Sequence, residues 1–237
     1  MTDQALILAG GFGTRLRSVV KDLPKPMAPI QGKPFLEYLL TYLETNGIRK
    51  VILSVGYLKE KIMEHFGSRF LGMEIVYSPE DQPLGTGGAL KQALNLLEQE
   101  FFLLNGDTFF AVNLKDMFEF HKKKQSHFTI ALKQIDDCKR YGSVLLDDDG
   151  RIVQFIEKRE GIECLINGGV YLLSRALVES ISLKAPFSLE RDFLEKTYKE
   201  KKFYGFVSDG YFIDIGIPED YQRADRELAS LFETKPK

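Results

Sequence analysis

The sequence reads as an α/β protein built on a doubly wound sheet, on three observations. Short apolar runs alternate with segments of helical spacing four times within about the first hundred residues. The first of those runs stops on two glycines. After Phe128 the strand-like stretches crowd together, which adds a small β subregion.

Ala5-Leu6-Ile7-Leu8-Ala9 is apolar without alternation, as a strand covered on both faces must be, and it ends at Gly10-Gly11. Residues 34–46 place Phe35, Tyr38, Leu39, Tyr42 and Leu43 at helical spacing, with Pro34 suited to a first turn and Gly47 to a stop. Residues 51–55 are the next strand, 59–66 a short helix, 74–77 a strand, 88–98 a helix and 101–104 another buried strand. Beyond them, strands are expected at 128–134, 143–146 and 151–156, with Asp147-Asp148-Asp149-Gly150 as a hairpin turn. Helical stretches follow near 175–182 and 189–200, then a strand pair at 203–207 and 211–213, and a helix after Pro218. Residues 233–237 read as a frayed end.

Lys and Arg number 32 against 34 Asp and Glu, a net charge of −2, which excludes an overall basic nucleic-acid binder and an acidic tail. Lys122-Lys123-Lys124 reads as a wet helix face. Cys138 and Cys164 form no CxxC, and His65, His121 and His127 have no metal-ligand spacing, so all five read as structural or surface residues. No apolar run reaches the ~18 residues of a membrane span, and the first apolar stretch is too short for a signal peptide. A cytoplasmic protein with neither nucleic acid nor membrane as partner is expected.

The chemistry concentrates in Leu8-Ala9-Gly10-Gly11-Phe12-Gly13-Thr14-Arg15-Leu16. Three glycines after a strand let backbone N–H groups approach an anion, and ligands of open α/β sheets bind beyond the carboxyl ends of strands. The loop is no Walker A motif and a poor dinucleotide fingerprint, since Leu16 stands where a third glycine belongs. Asp22-Leu23-Pro24-Lys25-Pro26 follows, its two prolines holding Lys25 in extended backbone. Arg15 and Lys25 thus flank the loop, a bidentate fork and a point charge able to converge on one polyphosphate.

Gly10-Gly11-Phe12-Gly13-Thr14-Arg15-Leu16 with Pro24-Lys25-Pro26 resembles the signature of the sugar-1-phosphate nucleotidylyltransferases. Pro83-Leu84-Gly85-Thr86-Gly87-Gly88, Asn105-Gly106-Asp107-Thr108, Glu157-Lys158, Asn167-Gly168-Gly169 and Asp214-Ile215-Gly216 resemble the family's later segments in the same order. The resemblance implies a single Rossmann-like, doubly wound mixed sheet of the nucleotide-diphospho-sugar transferase type over residues 1–237. About 1–125 would form the nucleotide half and about 126–232 the sugar-phosphate half. It implies an enzyme that joins a nucleoside triphosphate to a sugar 1-phosphate and releases pyrophosphate.

Such a reaction needs positioning and neutralised charge, with Mg²⁺ as the expected ion. The resemblance places Arg15, Lys25 and Asp107 in catalysis and makes Asp107 and Asp214 the metal ligands. Leu8, Ala9, Gly10, Gly11, Gly13, Thr14, Gln82 and Gly87 would hold the nucleotide. Gly142, Glu157, Lys158 and Asn167 would hold the sugar phosphate, with Ser188, Glu190 and Asp192 as weaker sugar-side candidates. Within the family, residues 13–20, 26–30 and 33–37 look like the branch that guanylates D-glycero-D-manno-heptose 1-phosphate using GTP. Ser78-Pro79-Glu80 also resembles the uridylyltransferases of N-acetylmuramate 1-phosphate. A non-catalytic nucleotide-sensing subunit would be expected to lose charged catalytic positions, which are present here. A glycosyltransferase would need Asp-x-Asp at a strand end, whereas Asp147 to Asp149 sit in a turn. A homo-oligomer is compatible with the sequence.

Overall fold

The computed structural model describes residues 1–11, 13, 16, 20, 22–156 and 163–232. Ten strands form one mixed sheet among these residues. Gln4–Ala9 lies between Lys50–Val55 and Glu100–Asn105, parallel to both, and Met73–Pro79 continues the parallel set beyond Lys50–Val55. The chain therefore builds outward from the first strand on one side and then crosses to its other side. The point of reversal lies between Gln4–Ala9 and Glu100–Asn105.

Burial follows the strand period of two. Ala5, Ile7 and Ala9 join the core on one face with the helix Phe35–Thr45, whereas Leu6 joins the opposite core with Leu90, Val178 and Phe193. An apolar run with no alternation is what two covered faces require. Fully burying a leucine or isoleucine contributes about 1.5–3 kcal/mol, so each central strand carries a large share of the core.

Cys164–Ser174 turns the sheet from parallel to mixed. Its later residues pair antiparallel with Glu100–Asn105, and its length pairs antiparallel with Phe128–Ile135 across a register shift between Asn167 and Tyr171. The hairpin Ser143–Leu146 and Ile152–Ile156 joins its opening residues. The turn between them is as read: Asp147 Oδ1 accepts from the N–H groups of Asp149 and Arg151, and Gly150 has φ +81°.

Three readings of the sequence are corrected. Residues 203–207 and 211–213 are not a pair. Phe203–Val207 lies parallel to Phe128–Ile135 in the main sheet, whereas Phe212–Asp214 pairs antiparallel with Thr108–Phe110. The apolar pattern identifies strands but not partners, and here the Ala111 N–H donates to Tyr211 O, drawing that segment to the other ribbon. The helix expected from 88 runs Gly85–Gln92 and tightens into a 3-10 turn at Ala93–Leu96. Lys25 is not extended: Lys25–Met27 is a 3-10 turn, because proline's φ suits that turn as well and Met27 N–H closes on Pro24 O. The helix Leu114–Lys124, capped by Asn113, was legible only through its lysine face, and Lys122 and Lys124 pair there with Glu100 and Asp149. Cys138 and Cys164 form a disulfide. Among the described residues no helix is long and apolar enough to cross a membrane.

His121 is 2% exposed, its Nδ1 2.7 Å from Thr129 Oγ1, and burial pushes its pKa down to about 4. An unfolded histidine binds a proton near pH 6.5, so the unfolded chain takes up protons first as the pH falls. Stability should be full above about pH 6.5 and decline towards pH 4, by about 2–3 kcal/mol from this group. Urea unfolding at pH 7 and pH 4.5 checks this: His121→Gln should flatten the slope, and an unchanged slope removes His121 as its source.

Candidate active site

A cleft of about 400 Å³ opens at the carboxyl ends of Gln4–Ala9 and Glu100–Asn105, where the strand order reverses. Leu8, Ala9, Gly10, Gly11 and Gly13 form one wall. Asn105, Gly106 and Asp107 line it beside them, as do Leu84, Gly85 and Thr86. Lys25, Glu80 and Gly216 close its sides.

This lining is set by close backbone packing. Gly106 N–H donates to Leu8 O at 2.9 Å, and a Cβ on Gly106 would stand 2.6 Å from that oxygen. Only glycine lets the two strand ends come this near and turns Asp107 into the cleft.

The charged centre combines three distant segments. Lys25 Nζ lies 2.7 Å from Asp107 Oδ2 and 3.6 Å from Asp214 Oδ1, and Lys25 is only 9% exposed. Asp107 Oδ1 accepts from Thr108 Oγ1, and Asp214 Oδ1 accepts from Gly216 N–H at 2.7 Å. Ile215 N–H donates to Asp107 O, clasping the two ribbons together. Two carboxylates facing one cation at strand ends are a donor set suited to a hard divalent ion shared with phosphate oxygens. Among the described residues no group of three His, Cys, Asp or Glu side chains could hold a metal by itself.

Tyr141 packs edge-on against Phe212, and burial followed by the Asp214 charge pushes its pKa up to about 12. Its hydroxyl is therefore a neutral donor near the centre at all ordinary pH. The neighbouring Arg140 pairs with Asp220, which is almost fully buried.

The cleft gathers Leu8, Ala9, Gly10, Gly11, Gly13, Lys25 and Asp107 of the residues expected there, and Asp214 meets them through Lys25. Others fall elsewhere. Gln82 is exposed and outside the cleft lining. Gly87 is buried outside the cleft lining, and its N–H donates to Phe187 O. Gly142 is exposed on the loop after Tyr141. Asn167 is turned inward: its Oδ1 accepts from Gly169 N–H and its Nδ2 donates to Tyr171 Oη. Thr14, Arg15, Glu157 and Lys158 lie outside the described residues.

Glu80 is a cleft residue to which sequence reasoning gave no role. Its carboxylate accepts from Ser54 Oγ at 2.9 Å and from Leu84 N–H at 3.1 Å. Its place directly before the glycine-rich loop was the available signal.

The model of the nucleotidyl transferase family matches residues 4–230. The chain is 53% identical over 226 residues to the D-glycero-alpha-D-manno-heptose 1-phosphate guanylyltransferase of Aneurinibacillus thermoaerophilus, covering 95% of this chain and 98% of that one. It is 49% identical over 218 residues to the protein of that name from Campylobacter jejuni, covering 92% and 96%. Among solved structures, HddC from Yersinia pseudotuberculosis complexed with GMP-PN superposes with a TM-score of 0.85 at 41% identity, over 95% of this chain and 99% of that one.

Gly106→Ala should separate the strand ends, because the obstructing atom is a carbonyl that cannot rotate away. Overpacking of this kind costs about 1–3 kcal/mol. Thermal melting should show a drop of several degrees together with a large loss of turnover; an unchanged melt would place slack at this junction.

Proposed function

We propose, from the premise that this chain belongs to the nucleotidyl transferase family, that it joins GTP to D-glycero-α-D-manno-heptose 1-phosphate, giving GDP-heptose and pyrophosphate. The observation that carries the choice of substrates is the 53% identity to a heptose 1-phosphate guanylyltransferase over nearly the whole of both chains. In the reaction a phosphate oxygen of the sugar phosphate forms a bond to the α-phosphorus of GTP. The bond from that phosphorus to the bridging oxygen breaks, and pyrophosphate leaves with its electron pair.

In this reading the backbone of Leu8 to Thr14 borders the triphosphate, and Arg15 and Lys25 neutralise its charge. Asp107 and Asp214 would hold a Mg²⁺ ion, which supplies charge stabilisation on the phosphate oxygens when bound. Lys25 is the cation between these carboxylates, within reach of a metal-bound phosphate shared with them. Lys158 and Glu157 would face the sugar phosphate. Tyr141, whose phenol feels the Asp214 charge, would add a neutral hydrogen-bond donor near that carboxylate. Residues from about 1–125 and about 126–232 then act as two halves of one unit, and a cytoplasmic setting suits an enzyme that consumes GTP.

Pyrophosphate release measured with GTP, UTP and dTTP against several sugar 1-phosphates tests the reading. At least a tenfold preference for GTP with the heptose 1-phosphate is expected. Preference for UTP with N-acetylmuramate 1-phosphate overturns it. Asp107→Asn should lower kcat by roughly a hundredfold or more with little change in melting temperature. Near-normal turnover of that variant at saturating Mg²⁺ removes Asp107 from the site.

A further inference from the structure

The glycine-rich wall of the cleft is held from behind by a segment of the second half of the chain. Phe187 N–H donates to Leu84 O at 3.0 Å, and Gly87 N–H donates back to Phe187 O at 3.1 Å. A Cβ on Gly87 would stand 2.0 Å from the Phe187 ring, and one on Gly85 2.4 Å from Phe187 O. These glycines therefore answer to Phe187, which does not line the cleft.

Three residues further on, Glu190 extends the same contact. Its Oε2 accepts from Thr86 Oγ1 at 2.8 Å and from Ser188 Oγ at 2.9 Å, and its Oε1 accepts from Tyr171 Oη at 3.2 Å. Thr86 Oγ1 in turn accepts from Leu189 N–H at 2.8 Å. Tyr171 is fully buried on Cys164–Ser174, and its hydroxyl accepts from Asn167 Nδ2 at 2.9 Å. Thr86 lines the cleft. One carboxylate thus connects the cleft wall to the strand bearing Asn167. The carboxylate accepts all three hydroxyls at once, and an amide of the same length keeps one of its two acceptor oxygens and with it part of the connection.

We infer that Glu190 is a positioning residue for nucleotidyl transfer: it fixes the Thr86 wall of the cleft against the Asn167 strand, and so sets the separation at which the two substrates meet. The inference rests on the nucleotidyl-transfer reading of the cleft. It assigns Glu190 no contact with substrate, in place of the sugar-side contact that its sequence position suggested. Holding reactants at the reactive distance is a large part of such catalysis, and small misplacements are costly.

The test is steady-state kinetics on the full chain, with whichever triphosphate and sugar phosphate the wild-type enzyme turns over best. A wild type that prefers UTP overturns the guanylyl reading and leaves this test standing. Glu190→Ala should lower kcat about tenfold or more while the KM for the triphosphate stays within threefold. Glu190→Gln, which keeps the length and one acceptor oxygen, should recover to within about threefold of wild type. A kcat within twofold of wild type in Glu190→Ala overturns the inference, and so does a loss that lies wholly in KM. If Glu190→Ala does not fold, Thr86→Val is combined with Glu190→Asp, which keeps the charge but is one methylene too short to reach Thr86 and Tyr171 together. Their effects on kcat should fall short of the product of the single effects, because both cut the same connection; fully multiplicative effects overturn the inference.

Discussion

The arrangement of the site depends on one ammonium between two carboxylates. Lys25 comes from a turn after the glycine loop, Asp107 from the end of a parallel strand, and Asp214 from a ribbon near the far end of the chain. Two carboxylates brought this close repel one another unless a cation separates them. The rest of the fold serves this meeting. The central pairing of Gln4–Ala9 with Glu100–Asn105 puts Asp107 beside the glycine loop, and the bond from Ile215 N–H to Asp107 O brings the last ribbon against the first half. A protein of nearly balanced charge can in this way present a polyanion site: the positive charge is local, and acidic groups already compensate it.

Much of this was legible in the residues. The apolar run 5–9 gave a strand covered on both faces, and the glycines after it line the cleft, because both follow from local chemistry. Asp107 was marked by the resemblance of Asn105-Gly106-Asp107-Thr108, just beyond a strand that is buried as expected. Strand partners were not legible: residues 203–207 and 211–213 look like a hairpin, and their separation into two sheets is decided by contacts with residues 108–111 and 128–132 far along the chain. The neighbour that requires glycine at 85 and 87 was not legible either. A glycine in sequence shows that space is needed, not who occupies it, and here Phe187 does. Asn167 points inward because the register shift after it turns the strand, which no pattern of apolar residues records.

Polar groups at the join of the two halves are used in pairs and chains. Tyr171, Glu190, Thr86 and Ser188 satisfy one another around a buried phenol, whose ionisation is pushed well up by burial and then by the Glu190 charge. Among the described residues no buried side-chain polar atom lacks a partner. In a low-dielectric setting such a network resists partial rearrangement, since breaking one link leaves a costly group behind.

The position of the first strand has a consequence for the order of folding. Gln4–Ala9 finds one neighbour about fifty residues on and the other about a hundred residues on, with Ala5 opposite Phe102. Glu100–Asn105 in turn stays uncovered on its far side until Val170–Ser174 arrives. During synthesis the earliest strand is thus an apolar edge awaiting a distant partner. Contacts of such long range make for slow folding and for a period in which that edge can pair with other chains.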